Sequence, residues 1–105
     1  MHVQPFGVTI CDRTIRVHGD VDMAVTPQLI DAITCVAENH EHHTVVVDMA
    51  WVTFLDSSGI AALLSAHKLV EGMDKKLVIY NVPEKIHRLL TLTAVVDSLN
   101  VRSVV

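Results

Sequence analysis

The sequence predicts an α/β fold, a mixed sheet whose central strands run largely parallel and pack against helices. Three observations carry this. Two short apolar runs, Thr44–Met49 and Leu77–Tyr80, are rich in β-branched residues and read as strands buried on both faces. Around them lie segments whose apolar residues recur at helical spacing. The resulting order, β-β-α-β-α-β-α, alternates strand and helix from residue 27 onward and calls for right-handed crossovers between parallel neighbours.

Taken in order, Phe6–Ile10 and Thr14–His18 form an antiparallel hairpin across Cys11-Asp12-Arg13. A turn-like stretch follows. Thr26 then stands as N-cap, with Pro27 at the first helical position, where a missing N–H costs nothing. From Pro27 to about Asn39, Leu29, Ile30, Ile33, Val36 and Ala37 fall on one helical face. A second helix begins near Ser58 and ends before Gly72, a suitable C-terminal residue. Pro83 opens a third, with Ile86, Leu89 and Leu90 on one side. The tail over Val95–Val105 reads as a last short strand with a ragged end. In open parallel sheets the working loops gather beyond the carboxyl ends of the strands, here 19–26, 50–58 and 81–83.

Composition narrows the function. The chain has 105 residues, half of them hydrophobic, enough for one domain over 1–105 with its core between about 8 and 101. The formal charge of −4 and the scatter of eight basic residues argue against nucleic acid. No apolar run approaches the roughly 18 residues of a membrane span. Met1–Pro5 lacks the charged start and apolar stretch of a secretory signal, so a cytoplasmic protein is expected. Cys11 and Cys35 suit a reducing compartment, where free thiols usually behave as small apolar residues. Cys35 lies off the apolar arc of its helix, which leaves a regulatory disulfide open.

The chemistry centres on "VTFLDSSGIAAL", Val52–Leu63. Ser57 can be read as a nucleophile, a helix cap or a residue that another protein modifies. A nucleophile elbow needs Gly-x-Ser-x-Gly, and Leu55 stands where the first glycine belongs. "DSSG" also lacks the spaced glycines and lysine of a phosphate-binding loop. Asp20, Asp22 and Asp56 converge if the topology holds; they can bind a hard cation or act as caps and turn formers, and the second reading is preferred. His40, Glu41, His42 and His43 are read as a helix end facing the dipole rather than a metal site. His67 shares the apolar arc of the second helix with Ile60, Leu63, Leu64 and Val70, as a partly buried, hydrogen-bonded histidine. Beyond that arc, Ala61, Ala62, Ala66 and Leu69 make an apolar outer face, to be covered either by a partner or by elements packing on both sides of this helix. Neither metal nor cofactor is assigned.

Phe54-Leu55-Asp56-Ser57-Ser58-Gly59, following the "VVVDM" strand and preceded by Gly19-Asp20-Val21-Asp22, resembles the STAS domain. More narrowly, it is similar to the bacterial anti-sigma factor antagonists. The resemblance runs from about Val8 to Val101 and includes "IHRLLTLTAVVDSL". The family more often has Glu and Leu at the positions of Asp20 and Val21, and glycine at that of Ala94. The resemblance implies a STAS-type domain with about four helices and a regulatory role rather than catalysis. The unphosphorylated domain would bind a partner that is both anti-sigma factor and serine protein kinase, and so release a sigma factor. Phosphorylation of Ser57 would end that binding, and a metal-dependent serine phosphatase would restore it. The implied partner surface is Asp22, Met23, Asp56, Ser57, Ser58, Gly59 and Leu69. No direct nucleic-acid or membrane partner is implied, and a weak homodimer is compatible. The other reading is a STAS module that is never phosphorylated, serving as a scaffold or binding a nucleotide or lipid.

Overall fold

The computed structural model describes residues 4–105; Met1–Val3, the start of the segment read as lacking a secretory signal, lie outside the described residues. Strands β1 (Gly7–Cys11) and β2 (Thr14–Val21) form the hairpin, and helix α1 (Thr26–Ala37) follows. Then come β3 (Thr44–Leu55), α2 (Ser57–Gly72), β4 (Lys76–Tyr80), α3 (Glu84–Leu92) and a 3₁₀ turn at Val96–Ser98. The sheet order is β1-β2-β3-β4, antiparallel between the first two strands and parallel thereafter. The family resemblance implied about four helices; the described residues hold three α-helices, because Val96–Ser98 makes only one 3₁₀ turn.

Side-chain alternation sorts the two faces of the sheet. Ile15, Val17 and Val21 of β2 are buried with Val45, Val47 and Met49 of β3, while Arg16 and His18 point away and are exposed. Helices α1 and α2 pack on each other and on the strands, burying Leu29, Ile33, Val36, Leu63, Ala66 and Val70 in the same core. The expectation of two buried faces therefore holds for β4, where Leu77, Val78 and Ile79 are all buried, but not for β3. Val46 and Asp48, on the other side of β3, are only half-buried and line an open groove with Thr14 and Tyr80.

β3 is also longer than its apolar run. Its pairing with β2 slips twice, between Arg16 and His18 and between Gly19 and Asp20, so β3 carries extra residues opposite β2. Each slip resets the pleat. After Met49 the next inward residues are Val52 and Leu55, and Trp51 and Phe54 are turned outward. The segment 50–55, expected as loop, is thus strand to within one residue of α2. β2 runs on to Val21 past Gly19, which has a φ of 84° and lies so close to the Pro5 carbonyl that no side chain fits.

The helix ends depart from expectation in instructive ways. Val25, not Thr26, is the N-cap of α1; Thr26 is already helical, and its hydroxyl donates to the Met23 carbonyl at 3.2 Å. At the other end the histidines do not meet the α1 dipole. Lys75 does, with its Nζ donating to the carbonyls of Ala37 and, at 2.9 Å, Asn39. His42 instead lies 3.6 Å from the Asp12 carboxylate. Helix α2 runs through Gly72 and stops at Asp74, which takes the left-handed conformation with φ 60°. The tail follows β4 in parallel through isolated bridges at Val101 and Val104; the Ile79 N–H donates to the Asn100 carbonyl and the Arg102 N–H to that of Ile79, both at 2.8 Å. Cys11 and Cys35 are exposed free thiols, not apolar filler.

Candidate functional site

The parallel register of β2 and β3 builds the site. Val21 is paired with Leu55, so Asp22 and Asp56 leave the sheet side by side, and the Asp56 N–H donates to the Val21 carbonyl at 3.3 Å. Each carboxylate then shapes its own turn. Asp22 Oδ1 accepts from the Ala24 N–H at 3.0 Å and the Asp22 carbonyl from the Val25 N–H at 3.2 Å, which folds the chain into α1. Asp56 sits in extended conformation as the N-cap of α2, and its Oδ1 accepts from the Gly59 N–H at 3.0 Å. One of the helix's orphan donors is thereby satisfied by a carboxylate at the positive end of the dipole.

Gly59 makes this turn possible. It is buried in the first turn of α2, where a Cβ would strike Leu55 Cδ1 and come within 3.2 Å of Val21 Cγ1. The helix therefore starts directly on the ends of β2 and β3. Ser57, the first residue of α2, is exposed, whereas Ser58 is half-buried. The Ser57 hydroxyl enters none of the side-chain hydrogen bonds found among the described residues; the cap is Asp56. Asp20 has a different task. Its Oδ1 accepts from the Thr53 hydroxyl at 2.6 Å and its Oδ2 from the Gln4 N–H at 3.2 Å, tying the N-terminal segment to the sheet. Among the described residues no group of three or more His, Cys, Asp or Glu side chains is arranged to hold a metal ion.

Of the residues singled out in the sequence, Asp22, Met23, Asp56, Ser57, Ser58 and Gly59 come together at this end of the sheet. Met23 is 72% exposed beside Asp22. Leu69 is exposed but stands apart, about 18 Å along α2 from Ser57 and about 120° round its axis. The apolar outer face expected on α2 shrinks as well: Ala62 and Ala66 are buried, leaving Ala61 and Leu69 outside. His67 is largely buried, and its Nε2 lies 2.7 Å from the Glu71 carboxylate, one turn on. Two exposed aromatics escaped the sequence reading. Trp51 at 71% and Phe54 at 49% exposure lead along β3 to the site. Period-2 counting from Met49 misplaces Trp51, which the first slip turns outward; the second slip restores the alternation at Phe54, and both slips are set by pairing with β2.

Comparisons with known proteins accord with this fold. The family model of the STAS domain matches residues 7–105. An anti-sigma-B factor antagonist of Staphylococcus epidermidis is 30% identical over 87 residues, which are 83% of this chain and 80% of that protein. The crystal structure of an anti-sigma factor antagonist from Mycobacterium paratuberculosis superposes with a TM-score of 0.74 at 23% identity, over 92% of this chain and 83% of that one. The anti-sigma factor antagonist SpoIIAA in its unphosphorylated form gives 0.71 at 15% identity, over 94% and 87%. The phosphorylated form of SpoIIAA from Bacillus gives 0.66 at 15%, over 94% and 90%. At these identities the solved structures establish the fold. Among the described residues no helix is long and apolar enough to cross a membrane.

Proposed function

We propose, from the premise that this chain belongs to the STAS domain family, that it is an anti-sigma factor antagonist whose binding is switched by phosphorylation of Ser57. The observation that carries this reading is the placement of Ser57: an exposed hydroxyl at the first position of the 16-residue α2, next to a cap that another residue supplies. The unphosphorylated chain binds an anti-sigma factor that is also a serine kinase, and so frees a sigma factor. A serine phosphatase reverses the modification. The contact surface is formed by Asp22, Met23 and the turn Asp56–Gly59, with Leu69 at its outlying edge. In this reading the chain is a binding protein and a kinase substrate, not a catalyst, and works in the cytoplasm.

The electrostatics support such a switch. A phosphoserine carries a charge near −2, and at a helix N-terminus the dipole and free N–H groups favour an anion by about 0.3–1 kcal/mol. The fold therefore accepts the modification. A partner seated on Ser57 does not, because the dianion must shed its water there, at a cost of several kcal/mol. At about 1.4 kcal/mol per factor of ten, affinity falls a hundredfold or more. The test is incubation with the anti-sigma factor/kinase of the source organism and ATP, followed by mass spectrometry and binding measurements. Phosphate is expected on Ser57, loss of binding for Ser57→Asp and persistent binding for Ser57→Ala. An unmodified Ser57, or equal affinities of the two variants, overturns the reading.

A further inference from the structure

We infer that the outward face of β3 at Trp51 and Phe54 is a second docking surface for the same partner, shaped for a cationic protein surface whose arginine side chains stack on the indole. The inference rests on the proposed antagonist function and extends its contact area beyond Ser57.

Trp51 is the only tryptophan of the chain and is 71% exposed on a strand, outside the core. It faces His18 across the parallel pair and, with Gln4, Pro5, Gly19 and Thr53, lines an open groove of about 440 Å³. Phe54, opposite Asp20, continues the same face and stands two residues before Asp56. Ser57 lies six positions after Trp51, at most about 20 Å away, so one interface of ordinary size spans both. Exposed tryptophans at such sites often carry a large share of binding energy.

Charge identifies the occupant. From Val17 to His67 the chain has no lysine or arginine, against seven carboxylates. Three of these, Asp20, Asp22 and Asp56, border the aromatic stretch, and among the described residues none of them forms an ion pair. Arg16, the cation on this face that precedes His18 in β2, lies 3.9 Å from Asp48. An indole face beside unneutralised carboxylates attracts a guanidinium by two additive effects, cation–π attraction and Coulomb steering. It is a poor seat for a second copy of the same acidic face or for a phosphate-bearing ligand.

The test uses the intact chain labelled with 5-fluorotryptophan, so that the single ¹⁹F resonance reports Trp51 alone. Titration with the purified anti-sigma factor/kinase is expected to shift this resonance and abolish its solvent-isotope shift. Trp51→Ala is expected to weaken binding at least tenfold and Trp51→Lys at least a hundredfold, with thermal unfolding unchanged because the side chain lies outside the core. Raising salt from 50 to 300 mM is expected to weaken the wild-type complex several-fold. A saturated complex with an unchanged resonance, or wild-type affinity in Trp51→Ala, overturns the docking surface. If Ser57→Asp still abolishes binding in that case, the proposed function stands without it. A resonance that shifts when the chain alone is concentrated assigns the face to a second copy and also overturns the inference. If the wild-type chain does not bind this partner, the functional reading fails and the docking surface fails with it.

Discussion

Asp56 and Ser57 are adjacent oxygen-bearing residues at the start of α2, and the structure gives them opposite tasks, which stability measurements can separate. Asp56→Ala removes the carboxylate that accepts from the Gly59 N–H at 3.0 Å. Losing a cap of this kind costs about 1 kcal/mol, and losing the negative charge at the helix N-terminus adds about 0.5 kcal/mol. An unfolding entropy near 2.1 cal/mol/K per residue gives roughly 0.22 kcal/mol/K for 105 residues. The expected fall in Tm is therefore about 7 °C. Asp56→Asn keeps an oxygen acceptor and loses only the charge, so its Tm should fall by about 2 °C. Ser57→Ala removes an exposed hydroxyl that forms no hydrogen bond among the described residues and should stay within about 0.5 kcal/mol of wild type, again about 2 °C. Differential scanning calorimetry on the three variants decides the matter. If Ser57→Ala lowers Tm as far as Asp56→Ala, Ser57 is a structural cap, and the separation of fold from switch on which the functional reading depends is wrong.

Gly59→Ala sets two effects against each other. Alanine is the better helix former by about 1 kcal/mol, but its Cβ would press on the buried Leu55 and Val21, and overpacking costs about 1–3 kcal/mol. A net loss on the order of 1 kcal/mol is expected from the urea midpoint; an unchanged or higher midpoint contradicts the packing argument. Ala94 has φ 59°, and the Val95 N–H donates to the Leu90 carbonyl at 3.0 Å, so this residue ends α3 in the left-handed conformation. Ala94→Gly should relieve about 1–2 kcal/mol of strain against an entropic cost of about 0.5–1 kcal/mol, raising Tm by about 2–4 °C. Lys75→Met should remove the ammonium from the carbonyls of Ala37 and Asn39, cost about 1 kcal/mol, and speed amide exchange in the last turn of α1 before that of α2.

Much of the fold was legible because its signals are local. Leu29, Ile33 and Val36 recur at the spacing of one helical face wherever that helix is placed, and they are buried as expected. The turn at Asp56–Gly59 was legible for the same reason, since a short acidic side chain, two serines and a glycine specify a strand-to-helix corner within four residues. Thr26 shows where local reasoning stops. It has the residue type and spacing of an N-cap, yet Asp22 had already built the turn from outside the helix, and the cap moved to Val25. The histidines near residue 42 fail in a similar way, because Lys75, more than thirty residues on, reaches the α1 carbonyls instead.

By itself the sequence determined the class of fold, the order of its elements and the identity of the corner that carries Ser57, since each depends on residues close together along the chain. Tertiary structure alone decided which face of β3 is covered, where its two slips fall and therefore that Trp51 points outward and Val52 inward. It also decided that Asp22 lies beside Asp56. Those outcomes depend on register between β2 and β3, strands about thirty residues apart, and a slip of one residue turns every later side chain to the opposite face.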